Sequence, residues 1–162
     1  MRLALWLSGA ATLALSTGLA WYLAPLSPGV LALQLAFSPR DFGEVIHFWS
    51  PEQLQRFRQH LPADYLLALC YGLFGYLLAR QTQLLRNGSA LLRRFVTWAL
   101  PLAAVCDGLE NALHGWLTEV PRFDITWPYW AAAGSATVKW SLLLAWGLAV
   151  IIALWPGAEE RS

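Results

Sequence analysis

Asp107, Glu110, Asn111 and His114 fall within eight residues of a stretch that is otherwise suited to lipid. Upstream the chain reads RRFVTWALPLAAV, and downstream it reads GWLTEVP. Carboxylates beside an imidazole and an amide can move protons, hold a cation or grip a polar ligand. At about 100° per residue, the four side chains share an arc of about 100° on one helix face. Inserting a charged residue at the centre of an isolated membrane helix costs about 2.5–3.5 kcal/mol, against a gain of about 0.3–0.6 for each strongly apolar residue. Two such acids therefore cannot face acyl chains comfortably. They need an inward-facing partner.

Lys139 is the sole lysine of the chain and lies within another apolar run. Glu110 is about eight residues in from Thr118 and Lys139 about eight in from Ala131, so at 1.5 Å per residue both lie roughly 12 Å deep. A short connection makes the two segments antiparallel neighbours. A Glu110–Lys139 ion pair is expected, with Asp107 deeper and Asn111 and His114 beside it. Tyr71, Ser16 and Thr17 fall at similar depth, and Asp64 stands at the outer mouth of its segment. Together they predict a polar pocket that opens outward and narrows toward the other side.

The elements that position these groups are helices. Of 162 residues, 57% are hydrophobic and only 13% charged, about half the charge of soluble domains. Four apolar stretches reach the roughly 20 residues that cross a bilayer: about 3–24, 65–85, 95–118 and 131–154. The first is longer than the apolar core of a secretory signal, so a retained helix is expected. Trp6, Trp21, Trp98, Trp116, Trp127, Trp130 and Trp155 mark the ends of the apolar runs, as an interfacial belt would.

Arg80, Arg86, Arg93 and Arg94 crowd one short connection without an acid, which assigns it to the cytoplasm and both termini with it. That side also holds Arg2 and Arg161 against Glu159 and Glu160. The outer side has four arginines against six acids. The outer loop, 25–63, carries two helix starts, Ser38-Pro39-Arg40-Asp41 and Ser50-Pro51-Glu52-Gln53. Two short helices are expected from them, about Pro39–Trp49 and Pro51–Leu61. Small residues (Ala68, Gly72, Gly75 and Ala79; Ser8, Thr12 and Ser16; Ala132, Ser135 and Ala136) offer faces for close helix contact. The predicted fold is all-α, one domain over 1–162: a membrane-embedded four-helix bundle with two short outer-loop helices.

The succession Asp64-Tyr65, D-x-x-E-N (Asp107, Glu110, Asn111) and Val138-Lys139-Trp140 resembles a group of small bacterial integral membrane proteins of unassigned function. The resemblance covers most of the chain, including its F-S-P…F-W-S-P loop. It implies four helices in a bacterial inner membrane and no mechanism.

Function divides into three classes. The leading one is binding of a small polar or amphipathic ligand, such as a lipid headgroup, by Glu110, Asn111, His114, Lys139, Asp107, Tyr71 and Asp64. A structural or assembly subunit would use the same groups only to clasp its helices. A membrane acid/base enzyme would use Asp107 or His114 as the proton acceptor and Lys139 to stabilise an anion; a proton-coupled carrier of this size would need a homodimer. No serine elbow, H-E-x-x-H, P-loop or C-P-x-x-C accompanies these residues, so no cofactor is called for and no reaction is specified. Glu110 and His114 at i, i+4 could share a metal with Asp107. The Glu-x-x-His pair of di-iron bundles, however, has no second copy, and no metal site is expected. His47 and His60 would join only if the outer loop folds inward. Cys70 and Cys106 lie apart in apolar runs, which argues against a disulfide. A net charge of +1 leaves no electrostatic footprint for nucleic acid.

Overall fold

The computed structural model describes residues 2–82 and 88–154 and contains six helices: α1 (Arg2–Leu23), α2 (Val30–Gln34), α3 (Pro39–Phe48), α4 (Pro51–Gln81), α5 (Ala90–Glu119) and α6 (Trp127–Leu154). No strand occurs among the described residues. Helices α1, α4 and α6 are each long and apolar enough to cross a membrane. With 30 residues α5 is equally long, but its charged stripe keeps it outside that set. The order of packing is α1 on α4, α4 on α5 and α5 on α6, with α2 bridging α3 and α6. The outward surfaces are those of a helical membrane protein. Leu3, Trp6, Leu13 and Trp21 on α1, and Leu144, Leu148, Ile151 and Ile152 on α6, are all exposed.

Two helix starts follow the local chemistry. Ser38 Oγ accepts from the Asp41 amide at 3.1 Å, with Pro39 supplying the first helical φ. Ser50 and Gln53 form a reciprocal capping box: each side chain accepts from the other's backbone N–H. A third cap, Ser89, starts α5 by accepting from the Leu92 amide.

The helix that begins at Pro51 is not the short outer helix expected. It runs through Pro62 without a break for 31 residues, so the expected outer helix 51–61 and the second expected span are one rod. Proline inside a helix costs roughly 3 kcal/mol through the lost N–H and a steric clash. Here Pro62 is exposed, on the side of the rod away from the core, while Phe57 and Leu61 pack on one core and Ala68 and Tyr71 on the next. Both halves are anchored on one side, which offsets the local loss. The loop from Pro25 also contains a short helix the periodicity did not announce, α2, whose Leu33 and Gln34 are buried. Residues 83–87 and 155–162 lie outside the described residues. They include the expected end of the second span, Arg86, Trp155, Glu159, Glu160 and Arg161.

Small residues set the closest approaches. A Cβ on Gly72 would stand 3.0 Å from the Ala104 Cβ, and one on Gly75 only 2.6 Å from that of Leu100. The α4 seam is therefore a contact with α5. The α1 hydroxyls behave differently: Ser8, Thr12 and Ser16 donate back to carbonyls of their own helix. Contact of α1 with α4 comes instead at Gly9, whose missing Cβ leaves room for the Phe74 ring.

Candidate functional site

Helix α5 turns its polar stripe inward. Asp107, Glu110, Asn111 and His114 are all buried, as is Lys139 on α6. The Lys139 amine lies 2.7 Å from Glu110 Oε2 and 2.8 Å from Asp107 Oδ1. The pairing with Glu110 is the contact expected from equal depth. Asp107, one turn further along, reaches the same amine rather than standing apart below it. Its second oxygen accepts a hydrogen bond from the Tyr71 hydroxyl at 3.0 Å. One carboxylate thus ties α4, α5 and α6 together.

The two contacts to the amine are unlike in quality. Lys139 donates an aligned hydrogen bond to Asp107, whereas its contact with Glu110 is close but poorly directed. Lys139 is the charged partner of Glu110 Oε2, and Glu110 Oε1 has no aligned hydrogen-bond donor. Glu110 Oε1 lies 3.7 Å from His114 Nδ1, and the His114 ring sits between the Phe42 and Phe57 rings at centroid distances of 6.0 and 6.1 Å. Burying a carboxylate is expensive unless a charge pairs with it, and the Lys139 amine supplies that charge to Glu110.

Asn111 turns away from Lys139. Its Nδ2 donates to Asp64 Oδ2 on α4 at 2.8 Å. Asp64 is only half-buried, because it stands at the edge of a cleft.

That cleft encloses about 610 Å³ between α1 and α6, with α4 and α5 as its back wall and α2 at one end. Asp64, Tyr71, Asp107 and Lys139 line it; Glu110, Asn111 and His114 stand behind the lining. The seven residues singled out in the sequence therefore separate into a wall layer and a supporting layer. Most of the remaining lining is apolar, from Ala20, Leu23, Leu26, Leu67 and Leu143. Thr12 and Ser16 line it from α1.

Three further lining residues had no place in the expected pocket: His60, weighed only as a conditional metal ligand; Gln34; and Trp140, named only within the V-K-W motif. His60 joins because α4 is continuous through Pro62, which sets it one helical turn from Asp64; its Nδ1 is hydrogen-bonded to the Phe57 carbonyl. Gln34 arrives on α2 and accepts from the Trp140 indole at 3.1 Å, which fixes the third, Trp140, at the cleft. An i, i+4 match of His60 with Asp64 is the signal that could have found the first. Gln34 had no comparable signal, since α2 has only five residues. His47, by contrast, stays exposed on α3.

A larger depression, about 680 Å³, lies on the outside of the α4–α5 contact. Tyr65, Gly72, Tyr76, Trp98 and Gly108 line it, and no charged residue does. Its size reflects the small residues of the seam, and it offers nothing for chemistry. Among the described residues, no three His, Cys, Asp or Glu side chains are grouped to hold a metal ion. Cys70 and Cys106 are both free.

The arrangement can do two things. It can hold α4, α5 and α6 in register through buried ion pairs, and it can present a charged patch at the back of an apolar cleft. No family model, curated protein or solved structure matches the chain, so these capacities are argued from its own geometry.

Proposed function

We propose that this protein is a four-span integral membrane protein of the bacterial inner membrane, with cytoplasmic termini, that binds an amphipathic ligand in the cleft between α1 and α6. Treating α5 as the fourth span is supported by its position between α4 and α6 and by its outward residues. Trp98, Leu102, Val105 and Leu109 are exposed, while every acid of its central stripe is buried. A polar helix needs such shielding to sit in lipid. The arginines of the 80–94 connection support the orientation. Grouping the chain with the small bacterial proteins that share D-x-x-E-N belongs to the same proposal.

One observation carries the ligand reading: an apolar-walled cleft of about 610 Å³ whose lining includes Asp64, Asp107 and Lys139. Small-molecule sites are mostly apolar cavities of about 300–1,000 Å³ with a few convergent polar groups. A long tail suits the leucines, and a polar head suits the carboxylates and the amine.

The test is native mass spectrometry of the protein purified in mild detergent. A retained amphipath is expected in the parent and should be absent from Leu67→Trp, which adds bulk at a lining residue that belongs to no ion pair. Equal retention by both, or none by either, overturns the ligand reading.

A second reading is favoured by one feature. The bonds from Lys139 to Asp107 and from Tyr71 to Asp107 are internal, and need no ligand to complete them. In that case the cluster is a clasp, and Asp107→Asn should lose folding. As a ligand site, the cluster should leave Asp107→Asn folded and impaired in retention.

A further inference from the structure

Resting on the cleft as a ligand site, we infer that its ligand carries a positive headgroup, a protonated amine or a quaternary ammonium on an apolar tail. The argument starts from charge. Asp64 and Asp107 face the cleft and Glu110 stands directly behind them, against the single amine of Lys139. That one amine is shared between two acids: it donates an aligned hydrogen bond to Asp107 and lies 2.7 Å from Oε2 of the fully buried Glu110. Asp64 commits one oxygen to Asn111.

The neighbouring arginines are engaged elsewhere. Arg56 donates to the Tyr22 carbonyl and lies over the Tyr22 ring, and Arg58 pairs with Glu119. Three carboxylates therefore share one lysine in surroundings that screen charge poorly. Such a wall attracts a cation and repels an anion.

The rest of the lining fits the same ligand. Tyr71 and Trp140 bring aromatic rings to the wall, and the Lys139 amine already lies 5.4 Å from the centroid of Trp140. Aromatic faces hold quaternary ammonium groups through the ring quadrupole. Leu23, Leu67 and Leu143 offer the tail an apolar track.

The experiment uses three probes with the same twelve-carbon chain: dodecyltrimethylammonium, dodecanoate and dodecanol. Each is titrated into the full-length protein in maltoside micelles, and bound adducts are counted by native mass spectrometry. The expected result is one saturable adduct with dodecyltrimethylammonium, about tenfold or more tighter than with dodecanoate. Leu67→Trp should abolish it. Asp64→Asn, which leaves Lys139 with both of its carboxylates, should weaken the ammonium probe by about tenfold and leave dodecanol unchanged. Circular dichroism shows that each variant keeps its helices.

Dodecanoate or dodecanol binding as tightly, still blocked by Leu67→Trp, overturns the charge inference and leaves the cleft reading standing. Unchanged ammonium binding in Asp64→Asn also overturns the inference. No saturable adduct with any probe, or adducts indifferent to Leu67→Trp, overturns both.

Discussion

The two buried clusters of this protein are built from different side chains. Around α2, α3 and the start of α4, Leu33, Phe42, Trp49, Phe57, Leu117 and Tyr129 interlock as large groups, with the Phe42 and Tyr129 rings edge-on at 5.1 Å. Between α4 and α5 further along, the cluster is Ala68, Tyr71, Leu100 and Ala103, beside Gly72 and Gly75. The first resembles the core of a soluble domain, where removing apolar surface from water supplies the drive. The second fits a setting in which lipid tails are as apolar as leucine, so helices gain by close backbone approach and by polar pairs. The α5 stripe joins the two regions. Its His114 end reaches the Phe42 and Phe57 rings, and its Asp107 end reaches Tyr71 and Lys139.

The comparison breaks most sharply at Lys139. Lys139→Met leaves two carboxylates facing each other without their cation, and removing one partner of a buried pair costs about 3–5 kcal/mol. Unfolding in a denaturing detergent should show a loss of that order. Adding Asp107→Asn and Glu110→Gln to the same chain should restore most of it. If the triple variant is as unstable as the single one, the acids and the lysine are not coupled. A loss confined to the outer cluster would mean that the polar stripe does not hold the inner one.

Close approach is tested at Gly75. An added methyl would meet Leu100 Cβ and Cγ at 2.6 and 2.8 Å, and the first of these cannot swing aside. Gly75→Ala should therefore cost about 1–3 kcal/mol, as overpacking does. Gly134 on α6 has nothing within 4 Å of the same position, so Gly134→Ala should gain about 0.5–1 kcal/mol from helix propensity alone. Opposite signs would separate packing from propensity. Equal signs would remove the close-approach account of the inner cluster.

Legibility in the sequence followed the range of each interaction. Helix starts at Ser38 and Ser50 depend on three neighbouring residues and could be read directly. The inward stripe on α5 and the height of Lys139 depend on helical periodicity alone, and both emerged from counting. The bond from Asn111 to Asp64 could not, because it depends on how α4 is rotated against α5. Continuity of α4 through Pro62 was hidden for a similar reason: local chemistry argues for a break, and tertiary anchoring on both sides outweighs it. The split between cleft wall and supporting layer requires the gap between α1 and α6, which no local pattern records.

The smallest expected effect belongs to the outer region and isolates its local order. Ser50 Oγ accepts from the Gln53 amide at 3.2 Å, and Gln53 Oε1 accepts from the Ser50 amide at 2.9 Å. Gln53 also donates to the Pro25 carbonyl at 2.8 Å, tying the start of α4 to the loop that follows α1. Ser50→Ala removes one of the two capping bonds and should cost about 1 kcal/mol. Because the cap is exposed and far along α4 from Tyr71, the loss should appear as faster amide exchange in residues 51–56, with exchange around Asp107 and Lys139 unchanged. Faster exchange spreading to α5 would mean that the cap and the polar stripe unfold as one unit. The contrast between the two clusters would then describe their side chains but not their stability.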